Sequence, residues 1–444
     1  MGVKYLRFIL LLVFFSVAYR YPCGMSEEID VNNYEMKGLS AASKFNIMEE
    51  LSLLYNDIHI GPVGIKPSYQ VNEIYDDNVY DAAEEEVSDL YTLHRSSLLI
   101  AAPFSDHLLS HFKYDAEIYD YEDEQERDRV NQSWEGSLGF YFANDFAFIF
   151  SDRFRKHVIP PGVQRRYFGD IAELDIPFED QGPNVFVDRR NVNMNVASFE
   201  LDFPDFFPNV DFLMRYDNQD VSYQRDEFKS DDFNLDTIGA IIEYNYPFLP
   251  VKVSSGFVYS IQRYDASQTS KHNDNYTNDI PLNISWTINQ KNEIYLNTNY
   301  RTSKYKKQSN IENFEGWEIV LGDRYLINPV SSIEIYGERS LKEQRQSNNN
   351  SYFYTKVGIK YINQHDRIDG YLDVYYSNMR FAESIGASGE IEDVDSFHVQ
   401  LNIKYRPQKW WFAEFDYSYA NRENTFSSGV LLKNAVSLGL GLTF

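Results

Sequence analysis

The sequence is short of several things, and each shortage closes off a class of protein. It has one cysteine, Cys23, so no disulfide can form within the chain. It has no apolar run of about 18 residues or more, so no transmembrane helix is written into it. Basic residues are outnumbered, 41 Lys and Arg against 67 Asp and Glu. The resulting net charge of -26 repels phosphates at long range, which excludes nucleic acid as a partner. The catalytic signatures G-x-S-x-G, H-E-x-x-H and G-x-x-x-x-G-K-[ST] are all missing. His107 and His111 share a strand face with no third metal ligand nearby. Tyr75-Asp76-Asp77-Asn78 followed by Glu84-Glu85-Glu86 lacks the glycine and the spacing of a calcium loop. No enzyme, cofactor or resident metal is expected.

What the chain does have is aromatic residues, 35 Tyr and 32 Phe, laid out with a period of two. The clearest stretch is the last one. Val436, Leu438, Leu440, Leu442 and Phe444 alternate with Ala435, Ser437, Gly439, Gly441 and Thr443. Before it, Ala413, Phe415, Tyr417 and Tyr419 alternate with Glu414, Asp416, Ser418 and Ala420. Earlier again, Phe397, Val399, Leu401, Ile403 and Tyr405 alternate with His398, Gln400, Asn402, Lys404 and Arg406. Such strands have one face for hydrocarbon and one for a polar interior. The expected fold is an all-β, antiparallel transmembrane barrel.

Two leading segments stand apart from it. Residues 1–18 form a secretion signal, with Lys4 and Arg7 ahead of an apolar core from Phe8 to Ala18. Cys23 follows Arg20-Tyr21-Pro22, which is not a lipobox. In residues 19–60, Phe45, Met48, Leu51, Leu54 and Tyr55 have near-helical spacing, which reads as a linker, a short periplasmic helix, or a plug or docking helix.

Residues 61–444 form the barrel domain. Eight tight turns are expected at Pro103–Asp106, Ala143–Asp145, Pro204–Asn209, Pro247–Pro250, Asn289–Asn292, Asn328–Ser331, Asn363–Arg367 and Pro407–Lys409. Longer polar connections lie near 80–89, 121–131, 155–183, 225–234, 265–279, 303–315, 343–351, 380–395 and 421–430. Eight turns alternating with nine loops give 18 strands, with 16 as the alternative count, turns in the periplasm and loops outside a Gram-negative outer membrane. Around Asn195 to Phe199 the apolar phase slips by one, from Val192/Met194/Val196 to Phe199/Leu201/Phe203, as a β-bulge would make it do. Dense acid falls in the loops, either as hydrated surface or sharing divalent cations with lipopolysaccharide.

The positions expected to face inward carry both signs. Arg215, Arg301, Arg324, Lys356, Lys360, Lys404 and Arg406 stand against Glu293, Glu334, Glu338, Asp369, Asp373, Glu414 and Asp416, with Tyr295, Tyr371, Tyr375 and Phe412 among them. Cross-strand pairing would make them wall structure. As lining, they would let a hydrophilic solute slide through a barrel wide enough for water. The longest loop, rich in Pro and carrying Arg165 and Arg166, either folds inward as a constriction or lies over the mouth.

Particular motifs suggest a family. Pro67-Ser68-Tyr69 leading to Tyr75-Asp76-Asp77-Asn78-Val79 is similar to the opening strand of the β-barrel porin type-2 family, and Phe112 to Tyr121 resembles its third strand. Tyr405-Arg406-Pro407, the stretch Asp416 to Asn424, and Asn434 to Phe444 resemble its closing hairpins. The Pro-rich loop departs from that pattern. The resemblance implies an outer-membrane barrel associated with exopolysaccharide export, with polysaccharide as cargo, working beside a periplasmic polysaccharide-export protein. It supplies no catalytic or binding residues. A passive porin for small solutes and a structural or adhesive barrel stay open beside it. Leu438, Leu440, Leu442 and Phe444 also resemble the terminal signal read by the barrel-assembly machinery.

Overall fold

In hydrocarbon every backbone amide must find a partner within the protein, so a sheet with one apolar face is stable there only if it closes on itself. The computed structural model has that closure. It describes residues 58–79, 86–105, 107–142, 146–159, 190–224, 232–264, 274–305, 314–344, 350–365, 367–384, 391–424 and 430–443. The short strand β1 (Ile58–Ile60) folds back on its successor through Gly61, whose φ of 64° suits a residue without a Cβ.

Eighteen long strands follow. The first six are β2 (Val63–Asp76), β3 (Asp89–Ser105), β4 (Leu108–Tyr121), β5 (Arg129–Tyr141), β6 (Ala147–Ile159) and β7 (Arg190–Phe207). Next come β8 (Val210–Tyr223), β9 (Phe233–Asn245), β10 (Val251–Tyr264), β11 (Asn275–Asn289), β12 (Asn292–Tyr305) and β13 (Phe314–Asn328). The last are β14 (Ser331–Gln344), β15 (Asn350–His365), β16 (Ile368–Ser384), β17 (Ile391–Gln408), β18 (Trp411–Asn424) and β19 (Val430–Thr443). Each pairs antiparallel with the next, and β19 returns to β2 from Ala435↔Asp76 to Thr443↔Ser68. The barrel therefore closes on 18 strands, not 16.

Tight turns gather at one rim and longer connections at the other. Several strands run further into the loops than the residue types suggest, β6 reaching Ile159 for example, whereas β7 begins only at Arg190. Residues 160–189, the leader, the helical spacing in 43–55 and Phe444 all lie outside the described residues.

The outer face is the apolar one. Leu438 and Leu440 are among its most exposed side chains, and aromatic pairs mark both edges of the band. Toward the loop rim stand Trp134–Phe154 (4.4 Å between ring centroids), Tyr300–Trp317 (5.0 Å) and Phe397–Tyr419. At the turn rim, Phe146 stacks on Phe142 and Phe203, and Trp410 lies beside Trp411. Rings at both edges place the hydrocarbon between them.

The slip expected in β7 is not a bulge. Register with β6 is continuous from Ala147↔Asp202 to Ile159↔Arg190, and with β8 from Val192↔Tyr223 to Phe203↔Phe212. The one irregularity lies between Phe203 and Phe207, at the turn. Val192, Met194 and Val196 instead point into the barrel, where Val192 and Met194 pack with Val221, Tyr223, Phe233 and Tyr264. Asn191, Asn193 and Asn195 take the outside. The backbone keeps its phase while the surroundings swap.

Candidate functional site: the inner wall

The inner wall is built from every second residue of the 18 strands, so its chemistry is set by which inward side chains stand opposite one another. All of the basic and aromatic residues expected inside lie on this face, and nearly all are engaged. Arg215 Nε meets Asp217 at 2.8 Å, with Glu200 3.9 Å from another nitrogen. Arg301 forks onto Asp279 at 2.7 and 3.3 Å and reaches Glu318 at 3.5 Å. Asn299 bonds the same two carboxylates. Arg406 pairs with Asp369.

Two of the expected lining residues are wall material. Tyr295 and Arg324 are only 6% and 5% exposed. Tyr295 lies across Gly322 on the neighbouring strand and donates its hydroxyl to Glu334, which also takes Arg324 at 3.5 Å. Tyr336 repeats the arrangement over Gly358 and donates to Asp373 at 2.9 Å. A side chain on either glycine would collide with the ring, so glycine opposite tyrosine is what lets the ring lie flat.

From β14 to the seam the wall is aromatic and polar together. Lys356 Nζ sits 3.9 Å from the Tyr375 ring centroid and 5.0 Å from that of Tyr336, and Lys360 stands over Tyr371. Tyr375 stacks on His398 at 4.5 Å. Lys404 pairs with Glu414 at 3.2 Å and sits above Phe412. Asn402 donates to both Glu414 (2.9 Å) and Asp416 (2.6 Å). The space beside Gly439 and Gly441 is filled: Asn72 covers the first and Phe412 the second.

Three cations were not legible beforehand. Arg95 pairs with Glu117 (3.3 Å), Lys113 with Asp115 (3.3 Å) and Arg153 with Glu135 (2.6 Å). Their side chains are 41%, 46% and 39% exposed, more than those of Arg215 or Arg301. The inner face of β3 includes Leu93, Leu99 and Ala101, which hides the alternation that would have pointed to Arg95. The two histidines do not share a face. His107 lies in the turn before β4, and His111 faces inward with Ser137 Oγ 2.8 Å from Nδ1 and Glu135 3.7 Å from Nε2.

The acidic stretch after Tyr75 has a structural job. Asp76 pairs with Lys433 at 3.0 Å, both of Asp77's oxygens accept from Asn434 at 2.6 Å, and Asn78 donates to the Leu432 carbonyl. These bonds clasp the first strand to the last at the loop rim. Their donors are protein nitrogens, which accounts for the carboxylates without calcium.

No protein-family model matches the chain, and no curated protein does either, so the family resemblance rests on the hairpin motifs alone. Solved structures do match in fold. The outer membrane protein OpdK from Pseudomonas aeruginosa aligns with a TM-score of 0.51 at 9% identity, covering 86% of this chain and 99% of that one. The FrpB iron transporter from Neisseria meningitidis aligns with a TM-score of 0.51 at 9% identity, over 84% of this chain but 63% of the transporter's. The chain thus has the fold of outer-membrane β-barrels.

Proposed function

We propose that this protein is a channel of the Gram-negative outer membrane, turns toward the periplasm and loops outside, and that its cargo is a surface polysaccharide. The observation that carries this reading is the inner wall from β14 to β19. There Tyr371, Tyr375 and Phe412 stand among Asn402, Glu414 and Asp416, and the charges are engaged by opposite charges, amides, a hydroxyl or ring faces. Charges already engaged by the wall hold no ion tightly, while amides and carboxylates bond sugar hydroxyls and aromatic faces take the apolar faces of sugar rings. A periplasmic polysaccharide-export protein is the partner this reading calls for.

Deleting the gene should strip the cell of capsule or matrix polysaccharide while small-solute uptake stays normal. Normal surface polysaccharide with impaired nutrient uptake would replace this reading with a second one. That second reading, a passive channel for small anionic solutes, draws on the exposed side chains of Arg95, Lys113 and Arg153. It predicts anion preference in planar bilayers, reversed when the three are changed together to Glu.

The last strand carries a separate proposal, recognition by the barrel-assembly machinery. Removing Phe444 should lower the yield of heat-modifiable barrel in outer-membrane fractions; an unchanged yield would refute it.

A further inference from the structure

Each inward arginine named above has a carboxylate: Arg95, Arg153, Arg215, Arg301, Arg324 and Arg406. On the outer face Arg263 has one too, Asp236 at 2.5 Å. Two exposed arginines on that face, Arg339 on β14 and Arg380 on β16, have no carboxylate partner among the described residues. Arg339 keeps its guanidinium 5.4 Å from the centroid of Phe353 on β15, and Phe353 stands in register with Arg380. Three successive strands thus carry Arg339, the ring beside it, and an arginine in register with that ring.

Their height along the wall is informative. Arg339 is in register with Ile319, two residues from Trp317 of the loop-side aromatic band. Arg380 lies four residues beyond Tyr376 of the same band, toward the loops. Asp393 is Arg380's register partner on β17, but its Oδ1 accepts from Asn378 at 2.6 Å, and Asp395 takes Asn378 and the Tyr376 hydroxyl. Arg339 stands at the height of the aromatic band and Arg380 beyond it on the loop side, and a guanidinium at that level, with no acid partner among the described residues, is a fork of donors suited to a phosphate. Free arginines are also out of keeping with a chain of net charge -26, where carboxylates are plentiful.

We propose that Arg339, Phe353 and Arg380 form a binding site for a phosphorylated glycolipid of the surrounding outer leaflet. The arginines take its phosphates with Phe353 packed beside Arg339 at the headgroup level, and Ile319, two residues from Trp317 toward the turns, meets an acyl chain. The site rests on the outer-membrane placement proposed above, in which the loop rim lies in the leaflet that carries such lipids.

The test uses the full-length protein in detergent micelles, titrated with lipid A and followed by native mass spectrometry. The wild type should retain lipid A at least about tenfold more tightly than the Arg339→Ala/Arg380→Ala double variant, since each arginine supplies charge-assisted bonds. The Lys/Lys variant should fall between them. Heat-modifiability of each variant shows that the barrel is folded. Equal retention by the double variant, or equal retention of dephosphorylated lipid A by the wild type, would overturn the site. So would displacement of lipid A by inorganic phosphate at equal concentration, which would mean a free-anion site. Fractionation of the cell envelope is read separately: a protein that binds lipid A in vitro but is absent from the outer membrane contradicts the placement and leaves the site standing.

Discussion

The two halves of β7 are opposite in pattern. From Ser198 to Phe203, Phe199, Leu201 and Phe203 point out while Ser198, Glu200 and Asp202 point in. From Asn191 to Val196, asparagines point out while Val192, Met194 and Val196 point in. The same exchange occurs at β16 and β17, where Tyr376 and Phe397 face out but, beyond them, Asn378 and Asp395 do, with Met379 and Val394 buried inside. A continuous ladder rules out a backbone cause. The turn-side part of the wall is in hydrocarbon and has a polar inside, while the loop-side part stands in water and keeps a small apolar core of its own. The level of the exchange marks where the wall leaves the bilayer.

The comparison can be broken most sharply from inside the loop-side core. Val221 is 1% exposed there, and Val221→Asp should cost about 3–5 kcal/mol by burying an unpaired charge, seen as early loss of the heat-modifiable band. On the other side of the exchange, Leu440 is 60% exposed to lipid. Leu440→Arg should cost about 2–4 kcal/mol in urea unfolding from lipid vesicles. Gly358→Ala drives a methyl into Tyr336 and should cost about 1–3 kcal/mol in the same assay. Asp77→Ala removes two seam bonds and should cost about 1–3 kcal/mol, read as faster thermal opening. Asn193→Arg, on the watery side of β7, should change stability by less than about 0.5 kcal/mol. A penalty for Asn193→Arg as large as that for Leu440→Arg would mean that this part of β7 is also in the bilayer.

Much of the barrel was legible because β17, β18 and β19 meet one medium along most of their outer face, so Phe397 to Tyr405 and Val436 to Leu442 alternate cleanly. β7 misled because it crosses from one medium to the other, and a polarity swap has the same signature in residue types as an extra residue. The inner-wall residues could be assigned a face but not a partner. Tyr295 and Arg324 looked like lining because face alone does not reveal that Gly322 and Glu334 stand beside them. Arg95 was passed over because Leu93, Leu99 and Ala101 share its side of the wall.

By itself the sequence determined what is local: a period of two, turns that alternate short and long, and hence an 18-stranded wall with a dry side and a wet side. Side-chain direction in a strand follows from the backbone of that strand alone, so it can be read without neighbours. Tertiary structure decided everything that depends on register. It set tyrosine over glycine, gave Arg215, Arg301 and Lys404 their carboxylates, left Arg339 and Arg380 without one among the described residues, and joined Asp77 to Asn434 across 357 positions. Closure fixes all those pairings at once, because the last strand can meet the first only when every register between them has been set.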